Sequence, residues 1–415
     1  MNSAIDKLWN KNFILHLIAY ELGDIGVKLL QFALSIHILM TTGDIALFAT
    51  VLSLVWLPYV LLSLPGGILA DRVSKRRIMV VCNVLIALAI TVYIIFMGKV
   101  DSSVMPIAML LALMTFGSIA SASEESSLFL IVPSEKIMQA NSISASLMFA
   151  SGIVAPIIAG FILAQFGLSV IVYISLGIFL AVALLYRMMQ IPFTKPEKKQ
   201  DFFTTLKTDT QSSLKYIWSE SKTTRSITIG IFLYALLFFP AMALVPSTLI
   251  YSTLGMDETS IGLSQGLIAV GSVLGTILIN FAGARIDITK TPHLLIAGSV
   301  IQILMAVAFM MTNSQLLAYV IITGGLLLSS GILTMLALNA FTYFGQNTPE
   351  EIIGKVMALF MSVMFLGGTV SQFAVGRLFG IVGDNLVLAV LVFPVIVIAT
   401  SFLTANKSRE VSLGD

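Results

Sequence analysis

Tyr20-Glu21-Leu22-Gly23-Asp24-Ile25-Gly26-Val27-Lys28-Leu29-Leu30-Gln31-Phe32-Ala33-Leu34-Ser35 lies inside an apolar run extending from about residue 13 to residue 40. A run of that length, free of proline, reads as one helix long enough to cross a bilayer. At about 100° per residue, Glu21, Asp24, Lys28, Gln31 and Ser35 fall within an arc of roughly 80°, so they form one polar stripe. A charge at bilayer depth costs at least about 2.5 to 3.5 kcal/mol. The stripe is therefore expected to face protein or a water-filled cavity, with the remaining apolar chain as the cavity's wall.

The rest of the 415 residues agrees with a membrane solvent: 58% are hydrophobic and 11% charged, against about 25% charged in a soluble domain, and the mean hydropathy is +1.00. The first apolar run follows Lys7 and Lys11 directly and exceeds the roughly 7 to 15 residues of a signal-peptide core, so it is expected to be the first span. A formal net charge of +2 points to no nucleic-acid partner. Cys82, the single cysteine, has no intrachain disulfide partner, and with His16, His37 and His293 scattered there is no metal-ligand spacing. Neither a metal nor a cofactor is expected.

Windows near 20 residues place spans at about 13–40, 45–70, 78–98, 105–130, 138–165 and 168–190, then 226–251, 259–283, 293–312, 316–344, 355–380 and 386–404. The expected fold is all-α, with twelve transmembrane helices in two six-helix halves, 1–190 and 226–415. They are joined by a linker, 191–225, whose Phe202, Phe203, Leu206, Leu214, Tyr216, Ile217 and Trp218 among polar residues read as one amphipathic surface helix. With the N-terminus inside, 20 of the 23 lysines and arginines fall on inner segments, so both termini and the linker are expected to be cytoplasmic. Short loops leave no room for a domain outside the membrane.

Between the second and third spans, Gly66-Gly67-Ile68-Leu69-Ala70-Asp71-Arg72-Val73-Ser74-Lys75-Arg76-Arg77 resembles the signature loop of the major facilitator superfamily. The glycines suit close helix approach, Asp71 suits a helix end and the basic cluster suits anionic headgroups. By that resemblance Gly67, Asp71, Arg72 and Arg76 are gating residues on the cytoplasmic side, and the two halves are related by a pseudo-two-fold axis along the membrane normal around a central cavity. Gly283-Ala284-Arg285-Ile286-Asp287-Ile288-Thr289-Lys290 looks like a second copy with Asp and Arg transposed. In the fifth span, Gly152, Pro156 and Gly160 resemble the Gly-Pro motif of drug-exporting members, a kink flanked by packing glycines. Ile131-Val132-Pro133-Ser134-Glu135-Lys136 with Gln139-Ala140-Asn141-Ser142, and Pro349-Glu350-Glu351 with Gly354-Lys355-Val356, look like the macrolide-efflux branch, Ser134 being a candidate helix cap.

The candidate coupling residues are Glu21, Asp24 and Lys28. Asp24 and Lys28 stand at i, i+4 and could neutralise each other, leaving Glu21 as the odd carboxylate. A proton carrier must titrate in its working range, which burial and Lys28 influence in opposite senses. Gln31, Glu124, Glu125, Asn280, Asn339 and Gln372 are the cavity or substrate candidates, Glu124 lying about 10 Å from the inner end of its helix. Charge in the N-half with apolar and neutral surface in the C-half suits proton handling in one and an amphiphilic substrate in the other. With no nucleotide-binding loop and no nucleophile and base constellation, the expectation is a monomeric secondary transporter of the cell membrane, not an enzyme. It is read as a proton-coupled antiporter of hydrophobic or amphiphilic compounds of the multidrug-resistance type, in contact with protons and lipids. A lysophospholipid or lipid flippase, a metallophore exporter and a non-transporting sensor are the rival readings.

Overall fold

The computed structural model describes residues 7–99, 103–193, 201–219, 222–282, 291–349, 352–382 and 386–412. The first six apolar helices are α1 (Lys11–Thr42), α2 (Ile45–Arg72), α3 (Lys75–Phe96), α4 (Val104–Ile131), α5 (Ile137–Phe166) and α6 (Leu168–Met188). The amphipathic linker helix is α7 (Phe202–Ser219). There follow α8 (Lys222–Phe239), a single turn α9 (Val245–Thr248), α10 (Glu258–Ala282), α11 (Thr291–Met310), α12 (Gln315–Asn347), α13 (Ile353–Val382) and α14 (Leu386–Ser412). Among the described residues eleven helical stretches are long and apolar enough to cross a membrane, α8 and α9 counting as one, and α14 carries a shorter apolar stretch, Val390–Ser401. The chain is a multi-pass membrane protein with twelve apolar helices.

Two places depart from regular helix. Pro240 and Pro246 each remove a backbone donor, and around them the seventh span passes through π-turns at Pro240–Leu244 and Leu249–Thr253. Ser134, the expected cap of α5, instead opens a 3-10 turn (Ser134–Lys136), and no side chain caps either that turn or α5. The tight connection between α5 and α6 is Gly167 alone, at φ +77°, a backbone conformation that glycine adopts without a Cβ penalty.

Contacts divide the chain into two compact units, one of residues 1–42 and 58–210, the other of residues 43–57 and 211–415. In the first, α1 packs on α4, α5 and α6, and α3 on α4 and α6. Its core includes Phe13, Ala19, Met79, Leu128, Ile131 and Tyr186. The helix ends are pinned at one level, because Asn10 donates to the Ile131 carbonyl at 2.8 Å and Asn12 to the Gln190 carbonyl at 2.9 Å. The start of α1 and the ends of α4 and α6 therefore lie on the same side.

In the second unit α8 packs on α13 and α12, α12 on α10 and α11, and α11 on α14. The core holds Tyr234, Phe239, Leu333, Phe344 and Phe360. The first half of α2 belongs here. Trp56 stacks on Phe365 at 5.1 Å and meets Phe239 edge-on at 5.1 Å, while Gly376 of α13 abuts Ala49. The apolar face of α7 is buried as well: Tyr216 and Ile217 join this core, and the Tyr216 hydroxyl donates to the Asn347 carbonyl at 2.7 Å.

Candidate functional site

The polar stripe of α1 extends further than its charges. His16, Tyr20, Asp24 and Lys28 recur every fourth residue, and side chains at that spacing stack along one side of a helix. At roughly 1.5 Å per residue they stand about 8, 14, 20 and 26 Å from the Lys11 end. Opposite α6 the helix carries Gly26, where an added Cβ would come 2.9 Å from Ile178. That close approach seats α1 against its neighbours.

The upper part of the ladder is a three-residue network. Lys28 Nζ lies 2.5 Å from Asp24 Oδ2 and donates also to Ser151 Oγ of α5 at 2.8 Å and to the Met148 carbonyl at 3.3 Å. All three ammonium protons therefore have acceptors. The Ser151 hydroxyl lies in short hydrogen-bond contact with the same Asp24 oxygen. Gly152 lies beside the ammonium, and a Cβ there would sit 3.9 Å from Nζ, an ordinary contact, so the pair does not require glycine at this position. Asp24 and Lys28 are about a quarter exposed, so the pair is reachable by water without being a surface salt bridge. Protonating Asp24 would cancel its charge and release the ammonium for another anion; deprotonation would restore the pair.

The lower part holds carboxylates without a cation. The Tyr186 hydroxyl of α6 donates to Glu124 Oε1 of α4 at 3.0 Å. His16, 3% exposed, lies 6.4 Å from the Tyr186 ring and 5.9 Å from Tyr20, stacked on the latter, and its Nδ1 has no partner. Glu21 Oε1 is buried with no partner, and Glu125 is exposed. Asp24 pairs with Lys28, and a longer contact joins Asp71 to Lys75. Of the four carboxylates that α1 and α4 bring to this region, Asp24 alone holds the ammonium, and Tyr20 lies in the field of all four. The sequence reading used Glu21, Asp24, Lys28, Glu124 and Glu125; it did not use His16, Tyr20, Ser151 or Tyr186. The four-residue recurrence from His16 to Lys28 was the signal available for the first two, whereas Ser151 and Tyr186 come from other helices and carried none.

Beside the ladder, toward the Lys11 end, α1 and α5 leave an open cleft of about 440 Å³ lined by Trp9, Leu17, Gln139, Ser142, Ile143 and Leu147, among others. Leu17 lies one turn from Glu21, and Leu147 one turn from Ser151. The cleft is apolar with hydroxyl and amide groups on one wall, and its volume lies within the range of small-molecule sites.

The remaining candidates are placed apart from this cluster. Gln31 is half-buried on α1. Gln372 is buried in the second unit, donating to the Phe239 carbonyl at 3.4 Å with Oε1 unpartnered. Asn339 is half-buried on α12, and the side chain of Asn280 lies outside the described residues. Gln302, which the sequence did not single out, donates to Ser329 at 2.9 Å. It lines a cavity of about 20 Å³ with Pro240 and Pro394, about one water in size. In the loop after α2, Arg72 donates to Thr205 of α7 at 2.9 Å and Arg76 to the Met189 carbonyl at 3.2 Å. Asp71 is exposed, 3.9 Å from Lys75, and a Cβ on Gly67 would meet nothing within 4 Å, so close approach is not that glycine's reason. Pro156 lies inside α5 and Gly160 is buried there. The transposed copy at 283–290 lies outside the described residues, as do Glu350 and Glu351.

The profile of the Major Facilitator Superfamily matches residues 17–372. Macrolide efflux protein A of Streptococcus pyogenes is 24% identical over 354 residues, 81% of this chain and 82% of that protein. Among solved structures, a bacterial homologue of the human lysosomal transporter Spinster, inward-facing and unoccupied, superposes with a TM-score of 0.71 at 15% identity over 95% of this chain and 96% of that one. The nucleoside transporter NupG gives 0.70 at 13% identity over 96% and 98%. A bacterial homologue of the iron transporter ferroportin, inward-facing, gives 0.68 at 19% over 94% and 98%. These likenesses bear on the fold.

Proposed function

The chain belongs to the Major Facilitator Superfamily, and from that premise we propose that it is a proton-coupled exporter of amphiphilic small molecules of the macrolide and cationic-drug kind. The observation that carries the reading is the Asp24–Lys28–Ser151 network, a carboxylate whose charge controls an ammonium at bilayer depth. In the proposed cycle Asp24 takes a proton on the outer side and breaks its pair with Lys28. After the alternating-access step it gives the proton up inside, and Lys28 is recaptured. The chain is a transporter of the cell membrane with both termini in the cytoplasm, the orientation that puts most lysines and arginines inside.

The substrate class rests on three supports. The cleft between α1 and α5 pairs an apolar wall with Gln139 and Ser142, which suits a molecule with a large apolar body and few polar groups. The surplus of carboxylates favours a cation or an uncharged molecule over an anion. The relative from Streptococcus pyogenes is named for macrolide efflux. The test is uptake into proteoliposomes under an imposed pH gradient, screened against macrolides, cationic dyes and lysophospholipids. Uptake that follows the gradient and collapses with a protonophore is expected. Movement indifferent to the gradient would reject the coupling, and movement of lysophospholipid alone would reject the drug reading.

A further inference from the structure

Resting on the proton-coupled reading above, we propose that Glu124, oriented by Tyr186 and backed by His16, is a second proton-carrying carboxylate. It forms a station between Asp24 and the solution at the Lys11 end of α1. The levels agree. Asn10 ties the start of α1 to the end of α4, so distances counted along both helices from that side are comparable. Glu124 lies about 10 Å in, His16 about 8 Å, Tyr20 about 14 Å and Asp24 about 20 Å. The carboxylate thus stands between the Asp24 pair and the solution, with Tyr20 at the intermediate level and in the field of both Asp24 and Glu124.

The local chemistry is that of a held, uncompensated acid. Oε1 of Glu124 accepts from the Tyr186 hydroxyl at 3.0 Å, no hydrogen bond occupies Oε2, and no cation forms an ion pair with Glu124 among the described residues. A carboxylate kept only to hold the bundle together would be paired, because an unpaired charge in a helix bundle is costly. Tyr186 is fully buried, so its hydroxyl fixes the carboxylate and leaves the other oxygen to receive a proton. Behind Tyr186 stands His16, buried, with an idle Nδ1.

The step balances. The Asp24 O–H bond breaks, the proton moves through the Tyr20 hydroxyl or water, and a Glu124 Oε2–H bond forms. Asp24 is left as the carboxylate that re-forms its pair with Lys28, and Glu124 then passes the proton to water at the Lys11 end. Tyr186 of α6 contacts Glu124, and Tyr20 and Asp24 of α1, Tyr59 of α2, Cys82 of α3 and the neighbouring Glu125 lie within its electrostatic reach; His16 and Glu21 stand next to these on α1. Apart from the His16 imidazole, none of them is a basic group. Tyr186 is a positioning residue.

Infrared difference spectra of the full chain in liposomes, taken across a pH titration, test this without a substrate. Wild type is expected to show a titrating carboxylic-acid C=O component from Glu124 beside those of Asp24 and the other carboxylates, which every Glu124 variant keeps. Glu124→Gln deletes the Glu124 component, Glu124→Asp keeps it, and Tyr186→Phe moves both its frequency and its midpoint because a hydrogen bond to the acid is gone. With erythromycin as probe, Glu124→Gln slows pH-driven uptake on the order of a hundredfold, and Glu124→Asp restores most of it. A Glu124→Gln titration that superposes on the wild-type one, or Tyr186→Phe leaving the Glu124 component and its midpoint in place, overturns the station. If wild type shows no pH-driven uptake the exporter reading fails, and the infrared titration still decides Glu124. Erythromycin counterflow without a pH gradient that is lost in Glu124→Gln but kept in Glu124→Asp, with no titrating component removed by Glu124→Gln, would make the carboxylate a substrate contact and overturn its proton role.

Discussion

Ser151 and Asp24 meet across two helices at a single atom: the α5 hydroxyl contacts Asp24 Oδ2, the same oxygen that holds the Lys28 ammonium. The carboxylate is therefore held from its own helix and from a neighbour, so a change in its protonation is felt by both. Ser151→Ala removes the donor from α5 and leaves the ion pair. A hydrogen bond to a charged group contributes about 1.5–3 kcal/mol, so pH-driven uptake is expected to fall by about tenfold or more, with Ser151→Thr near wild type. Equal uptake by the alanine variant would remove Ser151 from the coupling unit.

Asp24→Asn is expected to abolish pH-driven uptake while the protein still folds. It also leaves Lys28 with no counter-charge, and breaking a buried pair from one side costs about 3–5 kcal/mol; partial exposure reduces that here. Asp24→Asn with Lys28→Met should therefore be more thermostable than Asp24→Asn alone, and no more active. The check is a double-mutant cycle of melting temperatures in detergent. Additive effects would mean that the pair contributes nothing to stability.

How much of this was legible beforehand differs between fold and site. Twelve apolar runs, the inner bias of lysines and arginines and the loop at Gly66–Arg77 sufficed for the helix count and family, because in a bilayer length and hydropathy dictate helices. Asp24 and Lys28 could be paired from spacing alone. The partners that give them meaning could not: Ser151 lies 127 residues from Asp24, and Tyr186 lies 62 residues from Glu124. Spacing along one helix says nothing about which side chain of another helix will meet it. The π-turns of the seventh span were equally hidden, since Pro240 and Pro246 announce a disturbance without fixing its form.

Close packing in the second unit turns on α10 and α12. A Cβ on Gly271 would fall on the Leu327 carbonyl oxygen, and one on Gly275 on that of Gly331. Backbone cannot yield as a flexible side chain can, so Gly271→Ala and Gly275→Ala should each lower the melting temperature markedly, overpacking costing about 1–3 kcal/mol or more. Gly67→Ala, with nothing near its Cβ, should leave the melting temperature unchanged, so any loss of transport it causes would report on gating and not on folding. An unaltered melt for Gly275→Ala would refute the close approach.

The start of α10 offers a pH-dependent test outside the membrane. Asp257 Oδ1 accepts from the Ser260 amide at 3.0 Å and from its hydroxyl at 2.7 Å, and the Ser260 hydroxyl bond is the first cause holding the Asp257 carboxyl below its ordinary value. A carboxyl with a lowered folded-state value contributes stability that is complete above its unfolded value and is lost as the pH falls through the folded one. The first turn of α10 should therefore fray under acid conditions and be insensitive to pH near neutrality. Hydrogen exchange at the Ser260 and Ile261 amides reads this directly. Protection should fall on acidification in wild type beyond the intrinsic change in exchange rate. Asp257→Asn, which keeps a capping oxygen without a titrating proton, should lose that dependence. Asp257→Ala should be unprotected at every pH, the lost cap contributing about 1 kcal/mol. Protection in wild type that ignores pH would show that the charge of Asp257 has no part in holding the turn.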